Sequence, residues 1–455
     1  MALKSVPVSD VPNLDRISEN ATLSLSPRLF PKGGIDKGDG DGDKQNSLSF
    51  ELPKKFVIMG HRGSGMNLLQ SPDQKMKAIK ENSVRSFNAA GKFNLDFIEF
   101  DVQVTRDGFP VIFHDIFILT QEKGVIVEKR VTDLSLDEFL SYGPQRETNK
   151  MGKPLFRKAK DGRIFEWKVE DDDHLCTLHE VFQKVDHSSG FNIEFKFDDN
   201  KVYTEQELLR VLEIVLQVVF ENAGDRPIIF SSFQPDAVRL MRKLQSTYPV
   251  YFLTNGGSEI YSDVRRNSLD EAIKLCLASG LQGIVSEVKA ILRNPGAINK
   301  IKESKLSIIT YGQLNNVPEV VYMQYLLGVE GVIVDLVKEI TELVLDFRKP
   351  ENEKFQEEGT MAENKTHCSQ DELLFYLRLV PELNYDLMPP SGHYILPTRG
   401  CGSMRPFAQM PVKYINKACG LTSSGLYKPS PVELARRVCK RPKFIVTPNY
   451  SVQND

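Results

Sequence analysis

The sequence predicts a closed barrel of eight parallel strands alternating with helices, with an insertion after the second strand and a C-terminal extension. Eight short apolar runs alternate with longer amphipathic runs between residues 56 and 335. Continuous apolar strands are typical of parallel sheets covered by helices, and eight units favour a closed α/β barrel of the TIM type over an open sheet. A chain of 455 residues has room for this domain and its extensions.

The strands and helices follow one another in a regular order. The predicted strands are FVIMGH from Phe56, DFIEFDV from Asp96, FNIEFKF from Phe191, PIIFSS from Pro227, PVYFLTN from Pro249, QGIVSE from Gln282, LSIITYG from Leu306 and GVIVD from Gly331. The predicted helices cover residues 84–93, 177–186, 205–221, 235–245, 269–278, 295–303 and 318–327. Polar residues at the C-terminal strand ends of such a barrel gather at one mouth, which predicts a meeting of Arg62, Asp101, Lys196, Ser232, Asn255, Glu287, Tyr311 and Asp335.

The chain divides into three predicted segments. Residues 1–54 form an N-terminal extension with a Gly/Asp-rich linker, residues 55–345 form the barrel domain with its insertion at about 116–190, and residues 346–455 form a C-terminal extension of unknown role. The linker composition cannot bury a core. Its GDGDGDK segment is not a calcium loop, because Lys44 and Phe50 stand where that loop needs glycine and a bidentate glutamate.

Composition excludes several classes of protein. A formal net charge of -3 gives no general attraction to nucleic acid, and six scattered cysteines without paired spacing argue against a disulfide framework. The sequence contains no run of about 18 apolar residues, so no transmembrane segment is predicted. The N-terminal residues also lack the apolar core of a secretory signal. We expect a soluble intracellular protein of the plastid or the cytoplasm, and the oligomeric state stays open.

Three carboxylates are spaced for a single site. Glu99 and Asp101 are two residues apart on a buried strand and therefore point the same way, and Glu194 precedes Lys196 with the same spacing on the next strand of the barrel. Buried like charges are relieved by a shared proton or a hard cation. Oxygen ligands favour Mg²⁺ or Ca²⁺, with Mn²⁺ also possible. The alternatives are an exposed strand face and a plain ion pair.

Two histidines accompany these carboxylates. His61 and Arg62 end the first strand, and His114 follows a hairpin turn at Asp107 and Gly108. An arginine fork binds phosphate oxygens, and paired imidazoles suit acid and base roles near neutral pH. A lone histidine would more often be a core residue bonded to a backbone carbonyl.

Four segments in this order carry a resemblance to a known family. MGHRG, ENSVRSF, IEFDVQVTRDGFPVIFHD and NIEFK closely resemble the glycerophosphodiester phosphodiesterases, and the N-terminal MALKSVPVSDVPNLD is similar to the plant members. The resemblance implies a TIM-type barrel that hydrolyses glycerophosphodiesters. These substrates are deacylated phospholipids such as glycerophosphocholine and glycerophosphoethanolamine, and the products are sn-glycerol 3-phosphate and an alcohol.

The resemblance also implies roles for individual residues. His61 and His114 match the acid/base histidines of the family, and Arg62 and Lys196 match its phosphate-binding cations. The divalent-metal ligands that it implies are Glu99, Asp101 and Glu194, and the supporting pair is Glu81 and Asn82. The simpler interpretation of this pair is a helix cap near Ser83. Tyr311 departs from the family, since many relatives place a tryptophan there.

Two other functions compete with this one. A phospholipase of the phosphatidylinositol-cleaving type uses a similar barrel, but its bacterial form replaces the metal by an arginine. A catalytically silent phosphate-ligand-binding barrel would be expected to lack a histidine or a ligand. The insertion is either a small subdomain that covers the mouth and selects the alcohol or a plain surface excursion. Its Trp167 is a candidate anchor for a quaternary ammonium group, although packing is the commoner role.

Overall fold

The computed structural model describes residues 55–348 apart from residues 148 and 160. The predicted N-terminal extension and linker, and almost all of the predicted C-terminal extension, lie outside this range. The described strands are β1 Val57–Gly60, β2 Phe97–Val104, β3 Pro110–Ile112, β4 Phe117–Glu122, β5 Val125–Arg130, β6 Phe156–Lys158, β7 Ile164–Glu166, β8 Gly190–Phe195, β9 Ile228–Ser232, β10 Val250–Thr254, β11 Gly283–Glu287, β12 Ser307–Tyr311 and β13 Gly331–Val334.

The described α-helices mostly follow the strands. They are α1 Val84–Gly91, α2 Leu136–Leu140, α3 Leu178–Lys184, α4 Glu205–Asn222, α5 Pro235–Leu244, α6 Leu269–Ser279, α7 Val288–Arg293, α8 Gly296–Glu303, α9 Pro318–Leu327 and α10 Val337–Arg348. Short 3₁₀ helices cover Gln74–Lys77, Val131–Asp133, Val264–Arg266 and Gln313–Asn316. None of the helices between residues 55 and 348 is long and apolar enough to cross a membrane.

Eight of these strands close into a parallel barrel. Their order is β1-β13-β12-β11-β10-β9-β8-β2, and β1 pairs with β2 to complete the ring. The closure places Gly60 beside both Val334 and Ile98. All eight predicted strands form, so the prediction of a closed barrel is confirmed. Helices α2, α7 and α10 were not predicted. Helices α2 and α7, with five and six residues, are too short to show helical periodicity, whereas α10 has twelve residues and follows the last strand, where the predicted alternation ended.

The barrel has two apolar layers because successive strand residues face opposite sides. On β1, Val57 and Met59 belong to a cluster that also holds Ile229, Leu253 and Val285, each from a different strand. Ile58, between them, belongs to the larger cluster that packs the strands against the helices. This burial on both sides explains why the barrel strands are mostly apolar.

The insertion after β2 forms a sheet of its own. Strand β3 first turns back antiparallel to β2, and Gly108 adopts a φ of 89° in the connecting turn. Strands β4 to β7 then form an antiparallel sheet in the order β5-β4-β6-β7. Phe113, Phe139 and Trp167 lie in a separate apolar cluster beneath it. The insertion is therefore a small subdomain with its own core, and β6 brings one arginine to the barrel mouth.

Candidate active site

Three carboxylates converge at the mouth. Glu99 and Asp101 project from β2, and Asp101 lies beside Glu194 of β8 in the strand register. One oxygen from each carboxylate lies within 4.8 Å of the others, and all three residues are buried. The period-two spacing of the sequence therefore places them together, as the analysis of the strands predicts.

The negative charges of these three carboxylates repel one another. Burial and the neighbouring Asp101 raise the pKa of Glu99 to about 8. Burial raises the pKa of Asp101, but His114, Lys196 and Arg62 lower it by more, to about 2. Oδ1 of Asp101 is buried and has no hydrogen-bond partner among the described residues. The three buried carboxylates repel one another, and Asp101 Oδ1 is an acceptor without a hydrogen-bond partner in the described range. This set of oxygen ligands suits a hard divalent cation.

Two cations adjoin the carboxylates. Lys196 Nζ lies 2.7 Å from Glu194 Oε1 and 3.6 Å from Asp101 Oδ1. Arg62 has a φ of 50°, and its backbone N–H donates to Glu99 Oε2 at 2.8 Å. Its Nε lies 3.5 Å from Asp101 Oδ2 and has no hydrogen-bond partner in the described range. The two side chains give the cluster positive charge suited to an anionic phosphodiester.

Glu81 and Asn82, the predicted supporting pair, contact different residues of the site. Asn82 Nδ2 donates to Asp101 Oδ2 at 2.8 Å, which orients that carboxylate. Glu81 accepts a hydrogen bond from Arg62 at 2.7 Å. Helix α1 is capped by Ser83, whose hydroxyl accepts from the N–H of Ser86, and Asp173 accepts from the N–H of Arg85 in the same turn. The helix-cap interpretation therefore applies to Ser83, whereas Glu81 and Asn82 contact the site.

His61 is paired with a carboxylate from the other end of the barrel sequence. Its Nδ1 donates to Asp335 Oδ1 at 2.7 Å. Asp335 also accepts from the N–H of Met66 and from Asn316 Nδ2, so its position is fixed from three sides. Burial and the nearby Arg62 lower the pKa of His61, but Asp335 and Glu99 together raise it by more, so the pKa lies above its usual value. The pairing fixes one ring nitrogen and leaves Nε2 for chemistry.

His114 has a carboxylate partner of a different kind. Its Nδ1 donates to Asp115 Oδ1 at 2.7 Å, and Arg157 Nε donates to Asp115 Oδ2 at 3.0 Å. Burial, together with Arg62 and Lys196, lowers the pKa of His114 to about 4. Asp115 carries a charge that Arg157 offsets, whereas Asp335 contacts no arginine or lysine within the described range. The two histidines therefore experience opposite electrostatic environments.

Four further residues contact the site and are not identified by the sequence pattern: Asp335, Asp115, Asn316 and Arg157. Asp335 was expected at the mouth because it ends the last strand, but nothing local indicated its bond to His61. Asp115 directly follows His114 in the sequence, which was the only available signal for it. Asn316 and Arg157 reach the site through tertiary structure alone.

Other residues of the expected mouth divide into two groups. Tyr311 donates to Asn255, and Asn255 Nδ2 donates to the Tyr261 hydroxyl at 2.6 Å, so they form one polar cluster. Glu287 accepts a hydrogen bond from Ser258 at 3.1 Å. By contrast, the buried hydroxyl of Ser232 donates to the carbonyl of Phe195 at 2.8 Å, which gives it a structural role.

Trp167 packs inside the insertion. Its indole is buried, Nε1 donates to Asn67 Oδ1 at 3.0 Å, and Arg157 lies 3.5 Å from the ring centroid. Lys80 Nζ lies 3.7 Å from the same ring centroid. With two protein cations already against the ring, Trp167 does not offer a face to a quaternary ammonium group, and packing is its role.

The sequence of the chain matches a known protein family. The sequence model described as "Glycerophosphoryl diester phosphodiesterase family" matches residues 61–339. This chain belongs to the glycerophosphodiester phosphodiesterase family. The matched range holds all nine predicted site residues, from His61 to Lys196, and also includes Asp335.

Three relatives from Arabidopsis thaliana place the chain among plant-type members of the glycerophosphodiester phosphodiesterase family. "Glycerophosphodiester phosphodiesterase GDPD3" is 63% identical over 77% of this chain and 91% of its own length. "Glycerophosphodiester phosphodiesterase GDPD1, chloroplastic" is 58% identical over 84% of this chain and 99% of its own length. "Glycerophosphodiester phosphodiesterase GDPD2" is 53% identical over 84% of this chain and 99% of its own length.

Proposed function

We propose that this chain hydrolyses glycerophosphodiesters to sn-glycerol 3-phosphate and an alcohol, using a divalent cation and two acid/base histidines. Membership of the glycerophosphodiester phosphodiesterase family supports the reaction class. The observation that carries the proposal is the meeting of three buried carboxylates with two histidines, each bonded through Nδ1 to an aspartate. The partner is a small molecule such as glycerophosphocholine or glycerophosphoethanolamine.

Glu99, Asp101 and Glu194 are the proposed ligands of the cation. Their buried oxygens and the unpartnered Oδ1 of Asp101 support this assignment. Mg²⁺ and Ca²⁺ suit an all-oxygen donor set, and Mn²⁺ is a third choice. When bound, such a cation neutralises phosphoryl oxygens and thereby lowers the cost of charge in the transition state.

Arg62 and Lys196 are the proposed phosphate-binding residues. Both lie against the carboxylate cluster, and Arg62 Nε has no hydrogen-bond partner in the described part of the chain. An N–H that is buried and unused can donate to a phosphate oxygen without first breaking another bond. Glu81 and Asn82 are proposed to support the site by holding Arg62 and Asp101 in place.

His61 and His114 are the proposed proton-transfer pair. One histidine accepts the proton of the attacking oxygen, and the other donates a proton to the oxygen of the departing alcohol. Attack by water cleaves the ester directly, whereas attack by the glycerol 2-hydroxyl gives a cyclic phosphate that water then opens. Phosphorus NMR during slowed turnover separates these routes, because only the second produces a cyclic species.

The assay that tests the function measures released glycerol phosphate. The purified chain is incubated with glycerophosphocholine, glycerophosphoethanolamine or glycerophosphoinositol in the presence of Mg²⁺, Ca²⁺, Mn²⁺ or a chelator. We expect activity with a cation, none with chelator, and losses of about 10²–10⁴-fold in His61→Ala and Glu99→Gln. The matched control is His179→Ala, which removes an exposed histidine of α3. Full activity of either site variant would refute the proposed roles.

The same assay distinguishes the competing functions. A phosphatidylinositol-cleaving phospholipase would act on phosphatidylinositol vesicles and leave glycerophosphodiesters intact. A silent phosphate-binding barrel would bind glycerophosphocholine in calorimetry without releasing product. The complete set of carboxylates and histidines favours hydrolysis over both.

We further propose the plastid as the compartment, with the cytoplasm as the alternative. The support is the printed name of one relative, which is described as chloroplastic. Expression of the full chain with a C-terminal fluorescent protein in leaf cells tests this proposal. Fluorescence outside the plastids would contradict it.

A further inference from the structure

Arg157 joins the insertion to two carboxylates at the barrel mouth. From β6, its two terminal nitrogens donate to both oxygens of Glu81, at 2.8 and 2.7 Å. Its Nε donates to Asp115 Oδ2 at 3.0 Å. The side chain is only 12% exposed. One guanidinium therefore contacts the partner of Arg62 and the partner of His114 at the same time.

We propose that Arg157 is a positioning residue of the active site, which orients His114 through Asp115 and Arg62 through Glu81. This inference rests on the proposed function, since it assigns Arg157 a part in the same reaction. It also gives the insertion a role in catalysis, because the insertion supplies the side chain that holds both partners.

The path to His114 follows two hydrogen bonds. Asp115 accepts a hydrogen bond from His114 Nδ1 at Oδ1 and another from Arg157 Nε at Oδ2, so both of its oxygens are held. A carboxylate fixed in this way sets the tautomer and the ring orientation of the imidazole. Without Arg157, Asp115 would be held only through Oδ1, and its Oδ2 would have lost this partner in a side chain that is 30% exposed.

The charges around His114 come from several elements of the fold. Charged residues that act on this histidine or on its partner include Arg62, Lys196, Asp101, Asp115, Glu81 and Arg157. Arg157 offsets the charge of Asp115, which would otherwise favour the imidazolium form. Removing the guanidinium should therefore make His114 easier to protonate.

The path to Arg62 passes through Glu81. Oε1 of Glu81 accepts from both Arg62 and Arg157, and Oε2 accepts from Arg157 and from the N–H of Asn67. The Trp167 ring lies 3.5 Å from the Arg157 guanidinium and limits its movement. A lysine at this position would keep the charge but could not make the planar contacts to two carboxylates.

If Arg157 only stabilised the packing of the insertion against the barrel, it would make many of the same contacts. The test therefore compares Arg157→Lys, Arg157→Met, Asp115→Asn and the double variant Arg157→Met/Asp115→Asn. The matched control is Arg163→Gln, which removes an exposed arginine of the same insertion. For each protein, kcat, KM for glycerophosphocholine, the thermal midpoint and the pH profile of kcat/KM are measured. Wild type and His61→Ala, assayed alongside, report separately on the proposed function.

The expected result has three parts. Arg157→Met lowers kcat about 10–100-fold, while its KM stays within about threefold of wild type. The double variant is no worse than about twofold below the poorer single variant, because both changes break one path. The pH limb that belongs to His114 moves up by about one unit in Arg157→Met and stays in place in Arg157→Lys.

Two results would overturn the inference. In the first, Arg157→Lys and Arg157→Met both keep the same kcat as the control variant Arg163→Gln. The other is a loss of thermal stability in Arg157→Met with an unchanged pH profile and fully additive effects with Asp115→Asn, which would mean that Arg157 only stabilises the packing of the insertion. If Arg157→Met does not fold, Arg157→Lys decides, since full activity in that variant contradicts positioning.

Discussion

His61 donates a 2.7 Å hydrogen bond to Asp335, a residue 274 positions later in the chain. The contact exists because β1 and β13 are neighbours at the seam where the barrel closes. Asp335 raises the pKa of His61, whereas burial, together with Arg62 and Lys196, lowers the pKa of His114 to about 4. The contact that barrel closure creates thus helps to give the two histidines of one site different proton affinities.

Asp335→Asn should remove the anchor of His61 and the charge that raises its pKa. We expect kcat/KM to fall about 10²–10⁴-fold, as when a histidine loses the carboxylate that sets its tautomer. In the pH profile of the residual activity, the limb that belongs to His61 should move to lower pH. Movement of the acidic limb identifies His61 as the base, and movement of the alkaline limb identifies it as the acid.

The control for this variant is an aspartate–histidine pair that lies outside the site. Asp173 accepts from His174 at 2.9 Å, and Asp173→Asn should leave the pH profile unchanged. A profile of Asp335→Asn with neither limb displaced would show that Asp335 does not tune His61.

Gly63→Ala should destabilise the loop that carries His61 and Arg62. Gly63 has a φ of 93°, and a Cβ there would overlap Ser86 Oγ and lie 2.9 Å from the Ser86 carbonyl carbon. Gly162 has a similar φ of 85° but nothing within 4 Å of its Cβ position, so Gly162→Ala reports the backbone strain alone. Urea unfolding should show Gly63→Ala to be less stable than Gly162→Ala by about 1–3 kcal/mol. Equal stability of the two variants would contradict the close packing of this loop.

Lys80→Met should stabilise the fold at low pH. Lys80 is buried, its Nζ has no hydrogen-bond partner among the described residues, and burial lowers its pKa to about 7. The unfolded chain, with a lysine pKa of about 10.4, binds more protons than the folded chain between these values. Wild-type stability therefore rises with pH across this window, because folding within it requires Lys80 to release a proton. Below the window, Lys80 stays charged in the folded chain and the full cost of burying the ammonium remains.

The measurement is the free energy of unfolding in urea at pH 6 and pH 9. At pH 6, Lys80→Met should exceed wild type by about 1–3 kcal/mol, and the difference should shrink at pH 9. Lys92→Met, at an exposed lysine, should show no such pH-dependent difference. A constant difference between Lys80→Met and wild type at both pH values would refute the burial cost.

The barrel could be predicted from the sequence because its determinants are local. Each strand is a continuous apolar run, and Glu99, Asp101 and Glu194 reveal their shared direction through period-two spacing. Helix α7 and the three-residue strands β6 and β7 are too short to give a periodic signal.

The remaining parts of the site depend on tertiary structure. Arg157 lies 76 residues from Glu81 and reaches it only after the insertion has folded against the barrel. The bond between His61 and Asp335 likewise requires the barrel to close. Residue types could identify the groups that carry chemistry, but the partners that orient those groups could be found only in three dimensions.

Titration with Mn²⁺ shows whether one divalent cation binds between Glu99, Asp101 and Glu194. Chelator-treated protein is titrated with Mn²⁺, and free ion is measured by electron paramagnetic resonance. We predict one site per chain in wild type and in Glu287→Gln, which removes an acid of the mouth outside the cluster. Glu194→Gln should weaken that site at least about tenfold. Unchanged stoichiometry and affinity in Glu194→Gln would mean that the cation does not bind at these three carboxylates.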